Sequence, residues 1–213
     1  MTLLALFVKT FAGFYAIMDP VGSVPLFVAM TATNTEQERR AMVRRAILTA
    51  FGVLAFFGLT QMWLFRFFGF TMGAFRVAGG LFLFIIAFEM LTAKATGDRH
   101  SDEETSEGVS KHDVSITPLA VPLLAGPATI TGVILAFGQA RGPLQHVAVA
   151  VALVTVCAAA WLTLRASTRL NAWLGATGTK IISRMMGLIL GAMAVQFTAE
   201  GLVELFPVLG KGV

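Results

Sequence analysis

An acidic residue, two prolines and a glycine interrupt an apolar segment near the start of the chain. The segment reads Ala16-Ile17-Met18-Asp19-Pro20-Val21-Gly22-Ser23-Val24-Pro25-Leu26-Phe27-Val28. Proline lacks a backbone N–H and disfavours helical geometry at the preceding residue, and glycine permits unusual dihedrals, so a helix is expected to break here. The half-helix after the break exposes N–H groups and the positive end of its dipole. Such an end is suited to a small anion.

A second interruption of this kind occurs in the other half of the chain. It reads Pro122-Leu123-Leu124-Ala125-Gly126-Pro127-Ala128-Thr129-Ile130-Thr131. Two half-helix ends that face each other, together with nearby hydroxyl groups, can hold a small carboxylate. The predicted substrate site consists of Asp19, Pro20, Gly22, Ser23, Gly126, Ala128, Thr129 and Thr131.

Each polar member of this predicted site has alternative roles. Asp19 can cap the half-helix that follows it, receive a substrate ammonium group or accept a coupling proton, because a buried carboxylate is costly unless it is paired or protonated. The hydroxyls of Ser23, Thr129 and Thr131 can bond back to helix carbonyls or pack between helices. The sequence alone leaves these roles open.

The composition places these segments in a membrane. Of 213 residues, 56% are hydrophobic and 13% charged, and the mean hydropathy is +0.78. The apolar segments are helix-length and lack sustained alternation, which predicts an all-α membrane protein and not an outer-membrane barrel. A net charge of +4 is explained by loop arginines, so no nucleic-acid partner is expected. The one cysteine, Cys157, cannot form an internal disulfide, and no Cys/His cluster predicts a metal or another cofactor.

Six transmembrane helices are predicted, with the first segment unusually long. An unbroken helix over residues 2–33 would rise about 48 Å, whereas the hydrocarbon core is about 30 Å thick. A discontinuous helix resolves that mismatch. The predicted spans lie near 2–33, 41–66, 71–93, 116–140, 143–167 and 178–205.

The chain is predicted to be one transmembrane domain, 1–213, built from two related halves. An acidic, flexible linker at 94–115 separates repeat one (1–93) from repeat two (116–213). Three spans in each half require opposite orientations, so the repeats are inverted and helices 1 and 4 are the discontinuous ones, an arrangement typical of secondary transporters. The third spans also match, as Phe75-Arg76-Val77-Ala78-Gly79-Gly80-Leu81-Phe82-Leu83 aligns with Ser183-Arg184-Met185-Met186-Gly187-Leu188-Ile189-Leu190-Gly191.

The distribution of basic residues predicts the orientation. Alternate loops hold eleven of the 16 lysines and arginines, and positive loops face the cytoplasm. Both termini are therefore expected on the non-cytoplasmic side of the membrane. The eleven are Arg39, Arg40, Arg44, Arg45, Lys94, Arg99, Lys111, Arg165, Arg169, Lys180 and Arg184.

These segments resemble those of the MarC-type integral membrane proteins, which include the SnatA small neutral amino acid transporters and are distantly similar to the LysE exporters. The resemblance implies two inverted repeats of three helices, a bacterial inner-membrane location and transport of amino acids such as alanine or glycine. Family members commonly have glycine where this chain has Ala128, and the extra methyl narrows the approach of a ligand to the backbone. The matching segments are Asp19-Pro20-Val21-Gly22-Ser23-Val24-Pro25-Leu26-Phe27, Phe75-Arg76-Val77-Ala78-Gly79-Gly80, Glu89-Met90-Leu91 and Val121-Pro122-Leu123-Leu124-Ala125-Gly126-Pro127.

The functional prediction is a secondary transporter, an exporter or exchanger of small neutral amino acids, in which the repeats rock to alternate access. A channel for small neutral solutes or ions is the alternative, because it would use the same broken helices as a pore lining. No enzyme is predicted, since the sequence offers no Ser/His or Cys/His arrangement and no metal-ligand set within a span. The expected partners are a small amino acid, membrane lipid, a coupling proton or cation, and a second copy packed through small-residue stripes.

Overall fold

The computed structural model describes residues 2–92, 119–120 and 124–208. Within these residues the chain is helical and contains no β-strand. The predicted acidic linker at 94–115 lies outside the described residues. The α-helices are α1 (Leu3–Met18), α2 (Val24–Met30), α3 (Glu36–Phe68), α4 (Met72–Thr92), α5 (Pro127–Gln139), α6 (Pro143–Arg165) and α7 (Ser167–Leu205).

Four helical segments of the described chain are long and apolar enough to cross a membrane. They are α3, α4, α6 and the part of α7 over Thr177–Leu205, which follows a non-helical residue, Gly175. The protein is therefore an all-helical, multi-pass membrane protein, as the composition predicts. The helices α1 and α5 are also apolar, but they have only 16 and 13 residues, fewer than the roughly 20 that a full span needs.

Local sequence explains how the chain turns between α2 and α3. Thr35 and Glu38 form a capping box at the start of α3, in which each side chain accepts a hydrogen bond from the other residue's backbone N–H. Two nitrogens of the Arg39 guanidinium donate to the Thr31 carbonyl, at 2.9 and 2.6 Å, and a third donates to the Thr168 hydroxyl at 3.3 Å. The α2–α3 turn and the start of α7 therefore lie at the same end of the bundle.

Two apolar clusters make up the core. The first joins α1, α2, α3, α5 and α6, and it includes Met18 and Val24 on either side of residues 19–23. The second joins α4 and α7 and also takes in one residue from α1 and one from α5. Its buried members are Ile17, Leu83, Ala87, Met90, Ala128, Leu190 and Ala194. The two clusters thus meet close to both of the interruptions predicted from the sequence.

Glycines bring α4 and α7 together almost backbone to backbone. A Cβ atom at Gly80 would lie 2.7 Å from the Ala194 carbonyl oxygen, and one at Gly187 would lie 2.7 Å from the Met90 Cβ. The contacts pair residue 80 with 194 and residue 90 with 187, so residue numbers increase in opposite directions along the two helices. The helices are therefore antiparallel. We call this contact the glycine seam.

An ion pair lies at one end of the glycine seam. Arg76 Nη1 and Glu204 Oε2 are 2.8 Å apart, and their side chains are 18% and 42% exposed. A partly exposed pair of this kind stabilises a fold by about 0–1 kcal/mol. Close packing between the helices therefore contributes more to the seam than this charge pair does.

A Gly80→Leu substitution is expected to destabilise the protein by about 1–3 kcal/mol or more, because the new side chain meets backbone atoms of α7 and forces the helices apart. Thermal unfolding of the detergent-solubilised protein measures this. Gly52→Leu in α3 is the control, since a Cβ at Gly52 has no neighbour within 4 Å. An unchanged melting temperature for Gly80→Leu would contradict the close packing of the seam.

Candidate functional site

The break predicted in the first apolar segment is present at residues 19–23. Helix α1 ends at Met18, and Asp19 adopts the left-handed conformation (φ 41°, ψ 59°), with its N–H donating to the Tyr15 carbonyl at 3.1 Å. Asp19 is the one non-glycine residue with positive φ in the described part of the chain. Such a conformation costs an L-residue about 1–2 kcal/mol, so the surrounding contacts hold it in place.

Hydrogen bonds within this turn use both polar side chains. The Asp19 Oδ1 accepts from the Gly22 N–H at 3.0 Å, and the Ser23 hydroxyl donates to the Asp19 carbonyl at 3.0 Å. Both Asp19 and Ser23 are 5% exposed. Helix α2 itself begins at Val24, so Asp19 caps the turn that leads into this half-helix. The Ser23 hydroxyl therefore bonds back to a backbone carbonyl, which is one of the two alternatives considered for it.

The first break also faces α7, through a residue that sequence reasoning missed. Pro20 and Gly22 are buried, and a Cβ at Gly22 would overlap the Asp19 carboxylate and lie 2.9 Å from the Ser183 hydroxyl. Ser183 therefore lies within reach of the turn. A single serine in an apolar helix is a weak indication of function, because small hydroxyl residues are common where membrane helices pack.

The second break precedes α5. The Ala125 N–H donates to the Ala120 carbonyl at 2.9 Å, and Gly126 is extended (φ −71°, ψ 170°) just before the helix begins. The N-cap residue of α5 is Gly126, which has no side chain to cap the helix. Ala128 and Thr129 in its first turn are 4% and 2% exposed, so this helix end is buried in the bundle. Backbone amides of an apolar, uncapped helix end are groups that a ligand can satisfy.

Thr131 packs against α4. Its methyl group is placed against Gly79 of α4, where a Cβ would overlap it. This contact corresponds to the helix-packing alternative for Thr131.

The two breaks are connected by direct packing between α1 and α5. A Cβ at Gly132 would lie 2.8 Å from the Ile17 Cδ1, so the last turn of α1 contacts the second turn of α5. Ile17 precedes the first break by two residues, and Ala128, which follows Gly126 by two, belongs to the same apolar cluster. The structure therefore brings both interruptions into one region of the core.

A cavity of about 500 Å³ leads toward this region between α1, α5 and α7. Its lining extends from Ile17 and Gly132 to Arg141 and Gln145 at the α5–α6 connection. We call it the α1–α5–α7 cavity. Its volume suits a small organic solute, since ligand pockets are typically about 300–1,000 Å³.

The polar groups of the α1–α5–α7 cavity were not predicted from the sequence. They include Lys9 on α1 and Gln196 on α7, together with Gln139 at the end of α5. Lys9 interrupts an otherwise apolar helix, and charged residues within membrane helices usually face a water-filled cavity, so this position could have been recognised.

The inner end of the cavity is closed by apolar side chains. Ile17 is 8% exposed and packs on Gly132, and the Met193 Cε lies 3.0 Å from the position of a Cβ at Gly13. None of the eight predicted site residues is among the described residues that line the cavity. Ile17 therefore stands between the cavity and the turn that contains Asp19.

Comparisons with known proteins agree with this architecture. A family profile described as "MarC family integral membrane protein" matches residues 4–206. The chain is 37% identical over 204 residues to the UPF0056 membrane protein YvbG of Bacillus subtilis, covering 95% of this chain and 96% of YvbG. It is 33% identical over 205 residues to the UPF0056 membrane protein YhcE of Escherichia coli, covering 93% of each. No solved structure matches. The chain therefore belongs to the MarC family of integral membrane proteins.

Proposed function

We propose that this protein is a secondary transporter that moves small neutral amino acids, such as alanine or glycine, as an exporter or exchanger. The observation that carries the proposal is the α1–α5–α7 cavity, which ends on Ile17 beside two helix interruptions. A solute pathway that is open on one side and blocked in the middle is what alternating access requires, whereas a channel needs a continuous pore. The resemblance to SnatA-type transporters supports this substrate class, and the more distant similarity to LysE exporters supports a transport role.

The proposed binding site lies beyond Ile17, between the breaks. The buried first turn of α5 offers backbone N–H groups to a substrate carboxylate, and Thr129 is buried in the same turn. Asp19 and the carbonyls of its turn receive the substrate ammonium group, or Asp19 takes up a coupling proton. The methyl group of Ala128 limits the size of the solute. The proposed transporter is not an enzyme and needs no cofactor.

Contacts across the glycine seam support the proposal that the halves are inverted repeats of three helices. Aligning Arg76 with Arg184 also aligns Met90 with Thr198 and Gly79 with Gly187. Under this correspondence, the observed contact between Gly187 and Met90 becomes a contact between residues 79 and 198. Gly80, one residue along, is packed against Thr198. The contact at one end of the seam therefore maps onto the contact at its other end. Inverted repeats related by a two-fold axis in the membrane plane are expected to show this correspondence.

The proposed location is a bacterial inner membrane with both termini on the non-cytoplasmic side. Arg39 hydrogen-bonds Thr168, so two of the arginine-rich segments lie at the same end of the bundle. By the positive-inside rule this end faces the cytoplasm. The α1–α5–α7 cavity, which reaches the α5–α6 connection, then opens to the opposite side.

Counterflow in proteoliposomes tests the proposal. Vesicles preloaded with unlabelled alanine are expected to take up labelled alanine transiently, with saturation and at a rate well above that of vesicles without internal alanine. A channel would give unsaturable flux that does not depend on internal substrate. Absence of any alanine or glycine flux would contradict the assignment of substrate class.

A further inference from the structure

A second cavity, of about 340 Å³, lies between the start of α3 and the end of α6. Its charged lining consists of three arginines, Arg40, Arg44 and Arg165, and it also includes Trp161. We call it the arginine pocket. It shares no lining residue with the α1–α5–α7 cavity.

The positive charge of the arginine pocket is only partly balanced. Arg40 pairs with Glu36 at 2.7 Å, but the two side chains are 57% and 76% exposed. Arg44 and Arg165 form no hydrogen bond or ion pair with any residue in the described part of the chain, and the Arg165 guanidinium lies 4.9 Å from the centre of the Trp161 ring. Stacking on an aromatic ring orients a guanidinium and leaves its N–H groups available.

The surroundings of the arginine pocket favour a ligand that has both a polar headgroup and acyl chains. Tryptophan is enriched at the membrane–water interface, where its ring is next to headgroups. One helical turn deeper into the bundle, the exposed side chains are apolar on both helices, with Leu48 on α3 62% exposed and Leu162 on α6 59% exposed. A guanidinium group can bind a phosphate group through two parallel N–H···O hydrogen bonds.

We propose that the arginine pocket binds the phosphate of an anionic phospholipid, with the acyl chains along the apolar surfaces of α3 and α6. Three guanidinium groups against one carboxylate favour a headgroup with net negative charge over a zwitterionic one. The pocket thus fixes the depth and orientation of the bundle at one leaflet.

Lipid-dependent thermal stability of the purified full-length protein tests this proposal. Ligands that bind the folded state raise its melting temperature. Phosphatidylglycerol is expected to raise the melting temperature of the detergent-solubilised protein more than phosphatidylcholine does. The double variant Arg44→Gln/Arg165→Gln is expected to bind phosphatidylglycerol about tenfold more weakly, because two charge-assisted hydrogen-bonding groups are lost. Arg66→Gln, at the other end of α3, is the control and should behave as wild type.

Two further results would overturn the proposal. One is equal stabilisation by inorganic phosphate at the same concentration as phosphatidylglycerol, which would indicate a soluble anion. The other is a double variant that retains wild-type affinity for phosphatidylglycerol.

Quenching of Trp161 fluorescence by brominated lipids tests the same proposal without the double variant. In a Trp63→Phe/Trp173→Phe protein, Trp161 is the remaining tryptophan. Phosphatidylglycerol with brominated acyl chains is expected to quench Trp161 at several-fold lower concentration than brominated phosphatidylcholine. Equal quenching by the two lipids would show that the pocket does not select an anionic headgroup.

Discussion

A Gly22→Ala protein is expected to fold and to lose at least about tenfold in its apparent affinity for alanine. The added Cβ occupies the position of the Asp19 carboxylate and approaches the Ser183 hydroxyl to 2.9 Å. The carboxylate must move, and its hydrogen bond from the Gly22 N–H is lost. Because Asp19 is proposed to receive the substrate ammonium group, its displacement removes a hydrogen bond between charged groups, which contributes about 1.5–3 kcal/mol, or about 10–100-fold in affinity. Concentration-dependent counterflow measures the change.

Gly52→Ala is the matched control for this substitution. A Cβ at Gly52 meets no atom within 4 Å, and alanine stabilises a helix by up to about 1 kcal/mol relative to glycine. The control should transport normally and melt at the same or a slightly higher temperature. If Gly22→Ala has wild-type counterflow kinetics, the turn at residues 19–23 does not take part in binding.

Filling the α1–α5–α7 cavity is expected to abolish transport, with uptake reduced more than about 100-fold. Ala136 on α5 lines this cavity and is half-buried, so the indole of an Ala136→Trp variant has empty space to enter. The solute then cannot reach Ile17. Because the cavity is large enough for one indole ring, the folded state should retain most of its stability, in contrast to substitutions in close-packed cores. Uptake into proteoliposomes and the melting temperature are measured together.

An alanine-to-tryptophan substitution on an exposed surface is the control. It distinguishes blockage of the cavity from a general effect of an added tryptophan. Ala158 lies on the exposed side of α6, and an Ala158→Trp protein should transport as wild type does. Normal uptake by Ala136→Trp would mean that the solute takes another route through the bundle.

The first break was predictable from the sequence because its cause is local. Pro20, Gly22 and Pro25 prevent a continuous helix whatever their neighbours are, and α1 does end immediately before them. The all-helical membrane fold was predictable for the same reason, since apolar segments of helix length have few other stable forms in a bilayer.

The contacts between the first break and distant helices were not predictable from the local sequence. Ser183 approaches Gly22 from a helix about 160 residues later in the chain, and nothing in either local sequence indicates the pairing. The bond of the Ser23 hydroxyl to the Asp19 carbonyl depends on the left-handed conformation of Asp19. The cavity that Lys9 lines likewise depends on how three separate helices pack.

The glycine seam determines which parts of the protein can move as rigid bodies. Its two helices come from different halves of the chain, yet they approach so closely that one cannot move without the other. The proposed repeats divide the molecule into a first and a second half, whereas this packing joins α4 and α7 across that division. We infer that conformational change is a swing of this pair, with Ile17 and Ala128 at the surface that shears.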